Sequence, residues 1–217
     1  MSVMPPAAAE RIRGLYAITP EIDDTATLVA QVGAAIAGGA CAIQYRHKRA
    51  STGVRAEQAR SLAELCAARG SLFIVNDDPR LAAEVGADGV HLGENDAPIS
   101  AARAIVGDDA LIGASAYDDL ARARELVDGG ADYIAFGSLF ASPVKPHARR
   151  AALDRLSLAR GLGVPLVGIG GIDAGNAGRV IEAGAAAVAV ITAVFASDDV
   201  EAAARRIAQA CAAVATQ

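Results

Sequence analysis

Gln44, Arg46 and Lys48 follow an apolar stretch and alternate along the chain, so they project to one side if a strand continues through them. Arg offers a planar fork for phosphate oxygens and Lys a mobile point charge, which makes this stripe an anion site. Tyr45 and His47 face the other way, and both are counted among the substrate-binding candidates. Further on, Asn76-Asp77-Asp78-Pro79 holds two carboxylates with different expected roles. Asp78 precedes a Pro suited to the first helical position and reads as an N-cap, leaving Asp77 free at a strand end. Asp96 follows Gly-Val-His-Leu-Gly-Glu-Asn and supplies a second carboxylate. Two carboxylates from neighbouring strand ends suit Mg²⁺, which takes oxygen ligands and leaves positions for water and a substrate phosphate. His91, between Val90 and Leu92, reads equally as a packed, hydrogen-bonded residue or as a base, while His47 and His147 read as exposed loop residues.

A second anion site, made of backbone, is expected at the same mouth. Gly168–Ile172 reads GIGGI, and Val190-Ile191-Thr192 closes a later apolar run. Glycines let phosphate oxygens approach backbone N–H groups, and barrels often bind phosphate in the loops after their last two strands. A metal with Arg and Lys around a diphosphate would stabilise it as a leaving group, while a second phosphate anchors the attacking partner. No Ser/His/Asp arrangement or Cys nucleophile is evident. Substitution with loss of diphosphate fits these parts better than hydrolysis.

These residues must be positioned by repeated units. The phrase of a helix ending in Gly, then Ala, then a strand recurs from Gly38, Val85, Gly129 and Ala183, at intervals of about 44 to 54 residues. That interval fits two βα units, and Gly at such places supplies a C-cap with positive φ. Strands are predicted at Leu15–Thr19, Cys41–Arg46, Leu72–Asn76, Gly89–Gly93, Leu111–Ser115, Tyr133–Gly137, Pro165–Gly170 and Ala187–Ile191, with helices such as Ala56–Arg69 and Asp118–Val127 between them. Apolar runs without strict alternation suit parallel strands buried on both faces. The fold class is α/β, a single (β/α)₈ TIM barrel over residues 11–217 behind a flexible tail at 1–10. A doubly wound open sheet is the rival.

Composition sets the outer limits. The 217 residues are 53% hydrophobic, yet Trp is absent and Phe plus Tyr number only eight, so Ala, Val, Leu and Ile must build the core. A net charge of −5 argues against nucleic acid as a partner. No apolar run is long enough for a membrane span, and no signal peptide is evident, so a cytoplasmic location is expected. Cys41, Cys66 and Cys211 read as small buried hydrophobes in a reducing compartment.

In order along the chain, QYRHK (Gln44–Lys48), VND (Val75–Asp77), GADGVHLGEND (Gly86–Asp96), GAS (Gly113–Ser115), YIAFGSLFASPVKP (Tyr133–Pro146), GIGG and AVAVIT resemble the motifs of thiamine-phosphate synthases. The resemblance spans Leu15 to Phe195. It implies a Mg²⁺-dependent transferase of thiamine biosynthesis that joins an aminopyrimidine diphosphate to a thiazole phosphate, giving thiamine phosphate and pyrophosphate by dissociative loss of diphosphate. It implies that Gln44, Arg46, Lys48, Asn76, Ser115 and Lys145 hold the pyrimidine diphosphate, with Arg46, Lys48, Ser115 and Lys145 catalytic. Asp77 and Asp96 would hold Mg²⁺; Ser142, Pro143, Val144, Gly171, Ile191 and Thr192 would hold the thiazole phosphate. Partners would be these small molecules, with homo-oligomer formation left open. Three positions depart from the family pattern: Val144 replaces a usual Thr, Glu94 a common Gln, and Tyr117 a frequent His. The alternatives are the related thiazole tautomerase and a non-catalytic barrel that binds a phosphorylated metabolite.

Overall fold

Eight short segments rich in Val, Ile, Leu and Ala pair side by side, all parallel, and the last returns to the first. They are β1 (Gly14–Ile18), β2 (Ala40–Tyr45), β3 (Leu72–Asn76), β4 (Gly89–Leu92), β5 (Leu111–Tyr117), β6 (Tyr133–Phe136), β7 (Leu166–Ile169) and β8 (Ala187–Val190). The computed structural model describes residues 8–141 and 151–215. Helices alternate with the strands: α1 (Thr25–Ala37), α2 (Thr52–Arg69), α3 (Pro79–Glu84), α4 (Ile99–Val106), α5 (Leu120–Asp128), α6 (Asp154–Ala159), α7 (Ala177–Glu182), α8 (Thr192–Phe195) and α9 (Val200–Ala215). The closed ring is the expected (β/α)₈ barrel; the open-sheet rival is excluded by the β1–β8 pairing. Among the described residues no helix is long and apolar enough to cross a membrane.

Local signals place the elements. Side chains of Asp24, Ser51, Asp78 and Asp119 accept backbone N–H bonds in the first turns of α1, α2, α3 and α5. Each satisfies a donor that has no partner within the helix. Gly39, Gly86, Gly130 and Gly184, one in each repeated phrase, take φ values of 106°, 64°, 95° and 118° between a helix and the next strand. Ala8–Arg11 form a 3₁₀ turn, and Ala9 and Ile12 are buried against the residues that fill the barrel.

Along the strands the two side-chain parities have separate tasks. Leu15, Ala17, Ile43, Tyr45, Phe73, Val75, Val90, Leu92, Ile112, Ala114, Ile134, Phe136, Val188 and Val190 pack outward under the helices. The other parity fills the barrel, with Tyr16, Leu72, Ile74, Leu111, Tyr133 and Val167 bulky and Ala135 and Ala189 small. Small residues toward the strand C-termini leave a space that bulky ones would fill. Both faces are buried, which is why the sequence showed no simple alternation.

One interior glycine is required by its neighbour. A Cβ on Gly113 would overlap the ring of Tyr133 on the adjacent strand β6. Gly113→Ala is therefore expected to cost about 1–3 kcal/mol, the usual range for overpacking a filled core. Urea denaturation checks this; unchanged stability would mean the Tyr133 ring is free to move.

Candidate active site

The C-terminal ends of the strands surround a cavity of about 580 Å³. That volume is typical of small-molecule sites, and this end of such barrels is where catalytic groups gather. Gln44, Arg46, Lys48, Asn76, Asp77, Asp96, Ser115, Gly171, Ile191 and Thr192 all line it. These expected candidates, from six different places in the chain, are thus brought to one space.

One wall is charged. Lys48 Nζ lies 2.8 Å from Asp77 Oδ2, and Asp77 is hydrogen-bonded to Asp96. Asp96 Oδ2 also accepts from Gly93 N at 2.6 Å. Burial and the hydrogen bond to Asp77 raise the Asp96 carboxyl above the ordinary carboxylate range. Burial alone would do the same to Asp77, but Lys48 and the hydrogen bond from Asp96 bring it below that range. Asp77 takes φ 64°, rare for a residue with a Cβ, while its N–H bonds to His91 O at 2.8 Å. The neighbouring Asp78 turns away to cap α3 through Leu81 N at 3.0 Å and to pair with Arg55 at 2.9 Å.

Arg46 is held by Glu21 at 3.2 Å, and Glu21 also binds Arg49 at 2.6 Å. Facing this wall, four strands away around the ring, the turn after β7 runs through Gly170 and Gly171 with φ of 102° and 62°. A Cβ on Gly170 would strike Ser138, and one on Gly171 would strike the backbone of Ala141. The loops after β6 and β7 are packed too closely there for larger residues.

The floor of the cavity is polar. Gln44 Nε2 donates to Tyr16 Oη at 2.9 Å, and the Tyr16 and Tyr133 hydroxyls are 2.9 Å apart. Tyr133 Oη lies 3.1 Å from His91 Nδ1, and His91 Nε2 lies 2.9 Å from Ser115 Oγ. Burial lowers the His91 imidazole to about 4, with the Asp77 charge opposing.

The thiamine monophosphate synthase family model matches residues 15–194 of the chain. This chain belongs to that family. A thiamine-phosphate synthase of Chromobacterium violaceum is 54% identical over 205 residues, covering 94% of this chain and 97% of the relative. One from Methylobacillus flagellatus is 52% identical over 198 residues, covering 91% and 95%. A solved thiamine phosphate pyrophosphorylase from Pyrococcus furiosus superposes with a TM-score of 0.83 at 36% identity, covering 95% of this chain and 98% of the other.

Within this family frame, several expected site residues lie elsewhere. Tyr45 does not line the cavity. Its hydroxyl donates to Gln58 Oε1 at 2.9 Å, under α2, because the parity that aims Gln44 inward aims Tyr45 outward. His47 is neither exposed nor in the cavity: it is 5% exposed, with Nε2 3.1 Å from Asp23 and Nδ1 accepting from Ala50 N. Ser142, Pro143, Val144, Lys145 and His147 lie outside the described residues. Tyr117 stands at the rim, where its hydroxyl accepts from Glu94 N at 3.3 Å. Cys66 and Cys211 are buried and Cys41 is partly so; burial raises all three thiols, so none is a poised nucleophile.

Sequence reasoning missed three contributors. Glu21 has the signature of its role, a carboxylate just after the first strand, where a partner for Arg46 could sit. Tyr16 and Tyr133 looked like ordinary core aromatics, and only the closed ring brings their hydroxyls together.

His91 gives the folded protein a specific acid sensitivity. Above pH 6.5 its imidazole is neutral in both states and stability is complete. As pH falls toward about 4 the unfolded chain takes up a proton that the folded one refuses, so stability is lost. Between pH 7 and pH 5 the wild type should lose about 2 kcal/mol more than His91→Gln, measured by urea denaturation. Parallel pH profiles would refute a neutral buried His91.

Proposed function

We propose that the cavity joins an aminopyrimidine diphosphate to a thiazole phosphate, with Mg²⁺, to form thiamine phosphate and pyrophosphate. The observation that carries this reading is the convergence of Arg46, Lys48, Asp77 and Asp96 on one wall, across from the glycine turn at Gly170–Gly171. Family membership supplies the two heterocycles. The charge balance argues for a metal. Among the described lining residues, Arg46 and Lys48 face three carboxylates, Asp77, Glu94 and Asp96, so a diphosphate would meet a net negative surface. Asp77 and Asp96 offer hard oxygen donors already within hydrogen-bond reach of each other. Two carboxylates are enough protein ligands for Mg²⁺, which retains waters and takes substrate phosphate oxygens. Bound there, Mg²⁺ would neutralise diphosphate charge.

In this reading the carbon–oxygen bond to the diphosphate breaks first, and pyrophosphate leaves with the electron pair. The thiazole nitrogen then supplies its lone pair to the methylene carbon left behind. No general base is needed for that bond. Arg46, Lys48 and Lys145 hold the growing charge on the departing oxygens. Gln44, Asn76 and Ser115 orient the pyrimidine ring. Gly171, Ile191 and Thr192, with Ser142, Pro143 and Val144, seat the thiazole phosphate. Glu21 keeps Arg46 aimed inward before substrate arrives. Restricting two partners in this way can contribute several kcal/mol to the rate by orientation alone.

Purified protein, both substrates and Mg²⁺ should yield pyrophosphate and thiamine phosphate in equal amounts. A tautomerase or a silent binding barrel would release no pyrophosphate, and that result refutes the proposal.

The metal assignment has its own test. Asp77→Asn should raise the Mg²⁺ concentration for half-maximal rate and lower kcat by about tenfold or more, because an amide is a poorer ligand for a hard dication. Asp78→Asn should leave the Mg²⁺ titration unchanged, since its carboxylate caps α3 instead. Asp78→Ala should cost roughly 0.5–2 kcal/mol of stability with the same Mg²⁺ dependence. A Mg²⁺ response that shifts with Asp78 rather than Asp77 would place the metal elsewhere.

A further inference from the structure

The polar floor of the cavity links two of its walls by a single line of hydrogen bonds. Gln44 on β2, Tyr16 on β1, Tyr133 on β6, His91 on β4 and Ser115 on β5 are joined in that order by contacts of 2.9, 2.9, 3.1 and 2.9 Å. Tyr16 and Tyr133 do not line the main cavity. They lie beneath it, 1% and 0% exposed, and with Gln44, His91 and Ser115 they border a second space of about 30 Å³. The other walls of that space are Ile18, Ala135, Val167, Ile169 and Ala189, whose side chains offer no hydrogen bond. Each buried hydroxyl has its partners along the line itself.

Counting hydrogens shows what such a line does. Each contact holds one hydrogen, and the neutral imidazole of His91 carries one N–H. With Gln44 Nε2 donating to Tyr16, as the geometry has it, Tyr16 donates to Tyr133 and Tyr133 donates to His91 Nδ1. His91 then carries its hydrogen on Nε2 and donates to Ser115, whose own hydrogen is left for the cavity. Turning the Gln44 amide over reverses all four bonds: Ser115 donates to His91 and presents only lone pairs to the cavity. A mixed arrangement leaves two hydrogens or two lone pairs facing each other inside the barrel, with a buried polar group unsatisfied.

We propose that Tyr16, Tyr133 and His91 are positioning residues that couple the two ends, so that the amide orientation of Gln44 sets whether Ser115 donates or accepts. A ligand that donates a hydrogen bond to Gln44 Oε1 thereby fixes Ser115 as a donor three strands away. A donor at that place suits an anionic or electron-rich atom of the bound pyrimidine diphosphate. The inference rests on the proposed function in that Ser115 must meet this substrate.

The test is a double-mutant cycle on kcat/KM for the pyrimidine diphosphate, with melting temperature measured on each variant. Tyr133→Phe removes one hydroxyl and keeps the ring. It should lower kcat/KM about five- to tenfold in the parent protein, the scale of one hydrogen bond, and less than about twofold when Ser115→Ala is already present. Tyr16→Phe should behave alike, and serves if Tyr133→Phe does not fold. Equal fold losses with and without Ser115, or no loss in the parent, overturn the coupling. If Ser115→Ala alone leaves kcat/KM unchanged, the placement of Ser115 at the substrate is what fails, and the coupling falls with it.

Discussion

A closed barrel of eight strands is filled by its own side chains, so any site at its mouth depends on which interior positions are left small and how interior polar groups are satisfied. Here Ala135, Ala189 and Gly137 border the cavity where bulky residues would have closed it. Lower down, Leu72, Leu111, Tyr133 and Val167 fill the barrel, and Ala9 and Ile12 pack with them. Between filled base and open mouth lies the hydrogen-bonded floor. A buried hydroxyl or imidazole without a partner costs about 1–3 kcal/mol, so the floor is tolerable only because its members satisfy one another. Gln44 and Ser115 are its two ends and also part of the cavity lining, which fixes their side chains from below before anything binds from above.

The charged wall is built by a different balance. Asp77 is held in a left-handed backbone conformation and placed beside a second carboxylate, both unfavourable in isolation. Lys48 at 2.8 Å and the backbone bond from Asp77 N to His91 O offset this, as does the hydrogen bond with Asp96. Asp96 is the member whose ionisation the folded state resists. The charges at the mouth are thus paired with one another while no ligand is bound. On the proposed reading, such a wall would take an anion that arrives with a dication, unlike a bare cluster of cations.

How much of this could be read from the sequence depended on where each signal resides. Strand β3 was legible to the residue at Leu72–Asn76, because an apolar run ends abruptly in Asn-Asp-Asp-Pro and Asp78 caps the next helix. The four repeated Gly positions were legible because only that backbone conformation demands them. Side-chain direction was partly legible: Gln44, Arg46 and Lys48 share the cavity although β2 ends at Tyr45, while Tyr45 and His47 turn away. Tyr16 and Tyr133 were not legible as a pair. They are 117 residues apart, and their contact exists only because β6 and β1 sit across a closed ring. Val144 and its neighbours in the segment 142–150 lie outside the described residues, so the departure there stands as a sequence observation.

The outward residues of β2 explain how the inward ones stay aimed. Tyr45 donates to Gln58 Oε1, and the Gln58 amide donates in turn to Ile22 O and Asp23 O at 2.8 and 3.1 Å. His47 reaches the same loop through Asp23 Oδ1, and accepts from Ala50 N in its own. These bonds tie the loop after β1 to the loop after β2 from the buried side. The tie carries Glu21 to the place where it meets Arg46 and Arg49. An exposed Arg–Glu pair contributes little to stability on its own. Anchored through Gln58 and His47, the pair instead limits where Arg46 can point, and reorganisation on binding is correspondingly smaller. Alternation along one strand thus divides the labour: Gln44, Arg46 and Lys48 face the cavity, and Tyr45 and His47 fix the loop that restrains them.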